Sequence, residues 1–304
     1  MRWPSPLAFA PLRVTPFAGG TLVPVAIVTD STSDIDAASA TLLGIDVVPL
    51  LVIFGQRRYT DGSELTRADF YQKLRDERAL PATSAPTPKM FEDVFAGHVA
   101  AGRDIVCVVL SQTFSGTINA ARAAAGQFSG ASIHVIDSKT VAAGLGLQVR
   151  RAAELAQAGA SAPEVLSSLS RDRQTQHAFA TLPDLSHAVR TGRIGRAAAL
   201  LGTLVKILPV FRIVDGEIEH EAQVRTFGRA RQVMIDATLQ ALPDPHAARM
   251  EVMHAAAPEE AMRLREMLRE KLRAAPQYLG ISEAGPVLAV HAGAGAVGIF
   301  SVGA

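Results

Sequence analysis

Between positions 25 and 173, short apolar runs rich in β-branched residues alternate with helix-length segments. Strands are expected at 25–29, 47–54, 104–110 and 133–136. Helices are expected up to about 43 and at about 65–77, 88–100, 115–127, 144–158 and 162–173. Strands joined by helices pair in parallel, because a parallel connection needs a long crossover, and the crossovers cover both faces of the sheet. This alternation therefore predicts an α/β fold with a mostly parallel sheet and helices on both faces. In such sheets ligands sit beyond the carboxyl ends of the strands. The polar turns at 30–34, 111–117 and 137–140 fall at those ends.

The second half has another rhythm. A strand at 177–181, a short helix at 182–190 and two runs at 205–214 and 217–226 joined by Asp215-Gly216 read as a hairpin region. A helix at 227–241 follows. A strand at 251–254, a helix at 258–273 and a strand at 287–291 then read as a βαβ-like unit, and a last strand is expected at 297–302. The expected organisation is an N-terminal α/β domain over 25–172 and a smaller mixed α+β domain over 173–304. Residues 1–24, broken by Pro4, Pro6, Pro11, Pro16 and Pro24, read as a disordered extension.

Composition narrows the function classes. With 304 residues, 48% of them hydrophobic, the chain can bury a large core. The formal net charge of +1 gives no general pull toward nucleic acid or an anionic membrane. No apolar run is long enough to span a bilayer, so stable membrane insertion is not expected. The lone cysteine, Cys107, sits inside an apolar run. It reads as an inert core thiol, and the absence of any possible intrachain disulfide suits a reducing, cytoplasmic setting.

Familiar catalytic signatures are missing. Gly293, Gly295 and Gly298 spell a dinucleotide fingerprint, but only six residues follow Gly298, too few for the helix and acid the motif requires. A glycine-rich loop beside a cleft is the better reading. There is no P-loop, and the eight histidines show no metal-ligand spacing, so no metal and no cofactor is expected. Residues 113–117 lack the flanking glycines of a nucleophile elbow.

What remains is a hydroxyl-rich set: Thr83, Ser84, Ser115 and Thr117, with Arg193 and His291. Each taken singly is an ordinary cap, turn or surface residue. Together they offer hydroxyl donors, one guanidinium and one imidazole without paired carboxylates. Hydroxyls and free N–H groups at helix starts can hold a carboxylate or phosphate, and such a set is poor for hydrolysis. The competing reading is a serine-dependent acyl or phosphoryl hydrolase with Ser115 as nucleophile and His291 as base.

Several short segments, in order, carry a resemblance. They are 27–34 (IVTDSTSD), 59–62 (YTDG), 83–87 (TSAPT), 110–117 (LSQTFSGT), 135–139 (VIDSK) and 144–146 (GLG). They continue with 191–194 (TGRI), 206–210 (KILPV), 215–216 (DG), 224–225 (VR) and 291–295 (HAGAG). On these the chain resembles the DegV family of fatty-acid-binding proteins from about Val25 to Phe300. The resemblance implies a two-domain fold with a ligand tunnel between the domains and a long-chain fatty acid bound with its carboxyl group buried. It assigns Thr83, Ser115, Arg193 and His291 to the carboxylate, with Ser84, Thr117 and Gly116 in support. It further implies a non-catalytic subunit that presents the fatty acid to a separate ATP-dependent fatty acid kinase, with Arg225 at the docking surface. A sensor whose bound lipid changes a protein interface fits the same residues.

Two departures from the family pattern stand out. Thr191 replaces a frequent glycine, and Ala292 replaces a frequent threonine after the histidine. Physically the assignment is sound. A buried carboxylate is costly unless its oxygens accept hydrogen bonds. About a dozen buried methylenes contribute on the order of 10 kcal/mol before ordering costs. Leu50, Ile53, Phe54, Phe91, Phe95, Leu182, Leu200, Leu204 and Ile207 are the expected tunnel walls.

Overall fold

The computed structural model of the chain describes residues 23–76, 80–194, 207–272 and 276–303. The expected extension, apart from Val23 and Pro24, lies outside the described residues, as do Leu200 and Leu204. The elements of the N-terminal half are β1 (Val25–Asp30), α1 (Ala37–Leu43), β2 (Ile45–Val48), β3 (Leu51–Phe54), β4 (Arg57–Thr60), α2 (Arg67–Asp76) and β5 (Ala82–Ser84). Then come α3 (Pro88–Ala100), β6 (Asp104–Val109), α4 (Thr117–Ala125), β7 (Ile133–Asp137), α5 (Ala143–Gln157) and α6 (Ala162–Thr175). The C-terminal half contributes β8 (Gln176–Thr181), α7 (Ser186–Thr191), β9 (Leu208–Val214), β10 (Glu217–Val224) and α8 (Phe227–Ala241). It closes with β11 (Arg249–His254), α9 (Pro258–Leu272), β12 (Tyr278–Glu283), α10 (Pro286–Ala292) and β13 (Val297–Val302).

The N-terminal half is built on a parallel sheet of order β2-β1-β6-β7. Side-chain alternation along its strands divides the core. Val28, Ile105, Cys107 and Val109 pack with Phe91 and Phe95 of α3 and Ile118 of α4. Ile27, Val106 and Val108 pack on the opposite face with Leu145 and Val149 of α5 and Leu169 of α6. A strand buried on both faces must be apolar at every position, and 105–109 is. Cys107 is wholly buried in this layer, and burial drives its thiol pKa well above the ordinary range.

The C-terminal half carries a six-stranded mixed sheet of order β10-β9-β8-β13-β11-β12. One face is covered by α8 and α9 through Met234, Ile235, Leu264 and Leu268. The other face meets α10, the start of α5 and a three-stranded antiparallel sheet of order β4-β3-β5. The fold is thus α/β with two domains, a parallel sheet in one and a mixed sheet in the other.

Three expectations are corrected. The single strand expected over 47–54 is two strands in different sheets: β2 pairs with β1, and β3 pairs with β4 and β5. Pro49 stands between them and has no N–H to extend a ladder, and the Leu50 N–H turns to the Ser31 hydroxyl at 3.1 Å. The strand expected at 287–291 is helix α10, with Gly285 as its N-cap and Pro286 at its first position, where the missing N–H costs nothing. Its place in the βαβ unit belongs to β12, parallel to β11. Every residue of β12 is only half-buried, as suits an edge strand, and Gly280 and Ser282 dilute its apolar pattern. Finally, Thr83 and Ser84 form edge strand β5, with Thr83 opposite Val52, rather than a helix cap. The charged stretch 171–173 lies inside α6, where Asp172 is buried and ion-paired with Arg151 at 2.5 Å.

Candidate ligand-binding site

A cavity opens on the face of the six-stranded sheet that looks toward the N-terminal half. Its floor is small: Ala178 and Ala180 of β8, Gly298 of β13 and Ala255 after β11. Bulkier walls come from Leu182, Phe211, Ile213, Met253, Leu288 and Phe300. The alternation of β8 explains the floor. Ala178 and Ala180 face the cavity, while Phe179 points to the α8 and α9 side. Small residues on one face of a strand leave room that a second layer of large side chains would close.

The cavity wall is mostly apolar, and its charged or titratable lining residues are Arg193, Arg212, His254 and His291. His291 lies on the last turn of α10, and its Nε2 is 2.9 Å from the Thr83 hydroxyl on β5. These residues are 208 positions apart in sequence. Burial, then the Arg193 charge and His187, push the His291 pKa down to about 4, so the ring is neutral at pH 7. The distance fits either tautomer: where the Thr83 hydroxyl donates to Nε2, the ring proton sits on Nδ1. The Nδ1 atom is buried and has no hydrogen-bond partner among the described residues. In the tautomer with its proton on Nδ1, a neutral imidazole beside a guanidinium can donate to an anion without burying a second positive charge.

The segment carrying Arg193 is shaped by its neighbours. α7 ends at Gly192, whose φ of 71° is a left-handed helix stop that suits glycine. Arg193 then donates to the Thr191 carbonyl at 2.5 Å. His187 on α7 meets the Val290 carbonyl at 3.2 Å and so ties α7 to α10. The Cβ that a side chain would add to Gly293 stands 3.1 Å from the His187 ring, which explains a glycine after the helix. His187 was not singled out from sequence, because nothing local distinguishes it.

The 111–117 loop behaves differently. The Ser115 hydroxyl is 2.9 Å from that of Thr117 and accepts from the Thr117 N–H at 3.3 Å. The pair closes a turn before α4, whose N-cap is Gly116. Ser115 is not among the residues that line the cavity, and its hydroxyl partner is Thr117, while that of His291 Nε2 is Thr83. Across the loop, Ser111 and Thr113 donate to the Gly216 carbonyl in the turn of the β9–β10 hairpin. Both turn residues have positive φ, 48° at Asp215 and 85° at Gly216, the geometry expected of an Asp-Gly hairpin. Ser84 is exposed and bonds to the Ala85 carbonyl at 3.2 Å, and Arg225 is exposed just after β10.

Of the expected walls, Leu182 lines the cavity. Phe91 and Phe95 are buried under the parallel sheet, and Leu50 and Phe54 belong to the core around α2 and α10. Ile53 and Ile207 do not line it either. Among the described residues no group of three or more His, Cys, Asp or Glu is placed to hold a metal ion. Among them, too, no helix is long and apolar enough to cross a membrane.

A family model described as "Uncharacterised protein, DegV family" matches residues 24–303. A DegV domain-containing protein of Deinococcus radiodurans is 36% identical over 276 residues, which span 90% of this chain and 97% of that protein. The fold matches the structure of a DegV family protein from Thermus thermophilus, described by its fatty acid binding, with a TM-score of 0.86 and 31% identity over 92% of this chain and 99% of that one. It also matches DegV of Bacillus subtilis, described as a fatty acid binding protein, with a TM-score of 0.83 and 29% identity over 92% of this chain and 99% of that one.

Proposed function

The chain belongs to the DegV family, and from that premise we propose that it binds a long-chain fatty acid with its carboxylate at Arg193 and His291 and its tail along the apolar cavity. One observation carries the reading: a neutral, half-buried imidazole whose Nδ1 is buried and has no hydrogen-bond partner among the described residues, beside a guanidinium, on the wall of a mostly apolar cavity. A carboxylate there accepts from the Nδ1–H and is neutralised by Arg193. Thr83 acts by holding the imidazole tautomer, and Ser115 is assigned to the same end by family resemblance, exchanging its Thr117 partner for the ligand. The fatty acid binding described for the Thermus and Bacillus relatives supports the same ligand class. The role is binding rather than catalysis.

The finer reading is that the protein works in the cytoplasm and presents the fatty acid to a separate ATP-dependent kinase, with Arg225 at the docking surface. Mass spectrometry of an organic extract of the purified protein is expected to find a long-chain fatty acid. Delipidated protein is expected to bind C14–C18 acids, and Arg193→Gln to lose at least tenfold in affinity, the scale of a charge-assisted hydrogen bond. Delipidated protein that binds no acid across that range would sink the reading. The kinase step is tested by acyl-phosphate trapping with hydroxylamine. Arg225→Glu is expected to lower the yield at unchanged fatty acid affinity, and an unchanged yield removes Arg225 from the docking surface.

A further inference from the structure

The loop joining β12 to α10 is gripped at three consecutive residues by side chains of the N-terminal half. The Glu283 carbonyl accepts from Arg67 Nε at 3.0 Å. The Ala284 carbonyl accepts from the Tyr71 hydroxyl at 3.2 Å. The Gly285 N–H donates to Asp34 Oδ1 at 2.7 Å, across 251 residues of sequence. The same Arg67 donates to the Asp34 carbonyl at 3.1 Å and stands 3.9 Å from its carboxylate. From the C-terminal side, the Ala284 N–H donates to the His254 carbonyl at 2.7 Å. Close fit reinforces the bonds: a Cβ on Gly285 would stand 2.5 Å from Asp34 Oδ1.

Three features mark this contact as more than ordinary packing. Asp34 is buried and holds a positive φ of 53°, a conformation sparsely used outside glycine. Its second carboxylate oxygen is buried with no hydrogen-bond partner among the described residues. Asp30 and Asp61 lie close enough to act on its charge, and Arg67 is the cation that opposes them. Burial holds the Asp34 carboxyl well above the usual carboxylate range, with Arg67 pulling the other way. A group kept under such conditions is costly to the fold and needs a return elsewhere.

That return lies at the other end of α10. The helix starts at the gripped residues, and within two turns it delivers Leu288, His291 and Ala292 to the cavity wall. A seven-residue helix is rigid over its length, so a shift at Gly285 moves the imidazole with it. We propose that Asp34, Arg67 and Tyr71 are positioning residues for the ligand's polar end, fixing α10 so that His291 stays dry and in register with Thr83. The segment 27–34 therefore serves the site from outside it, through Asp34. This inference rests on the reading of His291 as the ligand-facing imidazole, but its first readout needs no ligand.

The test compares Asp34→Asn, Arg67→Gln and Tyr71→Phe with the parent protein. Tyr71→Phe deletes one hydroxyl and keeps the ring that meets Phe70 edge-on, so it carries the test if a charged variant does not fold. Leu264→Ala, in the core under α9, is the control for destabilisation alone. In delipidated protein, the His291 pKa is read from its imidazole NMR signals. It is expected to rise by about one unit in the three variants as water reaches the ring, and to stay put in Leu264→Ala. Palmitate dissociation is expected to accelerate by about tenfold, the equivalent of one lost hydrogen bond. An unmoved His291 titration in Tyr71→Phe, or an equal shift in Leu264→Ala, overturns the proposal. Should the parent protein bind none of the C14–C18 acids, palmitate included, the fatty acid reading fails, and the titration still decides the positioning.

Discussion

Removing the imidazole of His291 should change how stability responds to acid, with a sign and size that follow from its setting. The ring titrates at about 4 in the fold against an ordinary 6.5, chiefly through burial and then through Arg193 and His187. Above pH 6.5 the folded and unfolded rings are both neutral, and the stability tied to this group is fully present. As pH falls from 6.5 toward 4 the unfolded chain takes up the proton first, and stability is lost. Below 4 the loss is complete, at up to roughly 3 kcal/mol. Asp30 and Asp61 run the other way. Burial raises each to about 6 from 3.8, so their contribution is greatest at low pH and is lost as pH rises through 6. The parent protein therefore sums opposed slopes between pH 4 and 6.

His291→Gln isolates one of them, because both carboxyl groups remain in the variant. Urea unfolding of ligand-free protein at steps from pH 7 to pH 4 is the assay. The stability difference, parent minus variant, is expected to shrink on acidification by up to roughly 3 kcal/mol. A difference that stays constant with pH, or widens toward acid, would refute the dry imidazole. Bound fatty acid should flatten the effect, because its carboxylate favours the protonated ring and raises the His291 pKa.

Other predictions concern the cavity and the buried thiol. Ala180→Leu adds three carbons to the cavity floor and should displace two or three ligand methylenes. The longest acids should then lose about 2 kcal/mol, some thirtyfold in affinity, while acids shorter by that length bind as before, as titration calorimetry would show. Ser115→Ala should weaken fatty acid binding and leave the melting temperature nearly unchanged. Unaltered affinity would remove Ser115 from the site. Cys107, wholly buried with a raised thiol pKa, should react with a thiol reagent only as fast as the protein unfolds, and rapid labelling of native protein would contradict its place in the core.

Much of the fold could be read from local pattern because the pattern has a local cause. The apolar run at 105–109 signals burial on both faces, and the helix at 227–241 and the strand at 297–302 occupy the residues their periodicity indicates. Asp215-Gly216 marks a turn because few residues tolerate positive φ at both positions. The misreadings arise where local pattern is ambiguous. Residues 287–291 are apolar enough for a strand, and only the Pro286 helix start and the pairing of β12 with β11 make them a helix. Residues 47–54 read as one strand, and Pro49, with no N–H for a ladder, together with the capture of the Leu50 N–H by Ser31, divides them between two sheets.

The candidate site follows the same division. Its residue types were legible: hydroxyls at 83 and 115, a guanidinium at 193, an imidazole at 291. Their partners were not. Thr83 meets His291 across 208 residues, Ser115 turns to Thr117, and Asp34 reaches Gly285 across 251 residues. The sequence by itself determined the kinds of element and the chemistry available, since backbone propensity and side-chain alternation act over a few residues. Only the tertiary structure decided which hydroxyl meets the imidazole, which acid grips α10 and which face of β8 lines the cavity, because those outcomes depend on how two sheets pack.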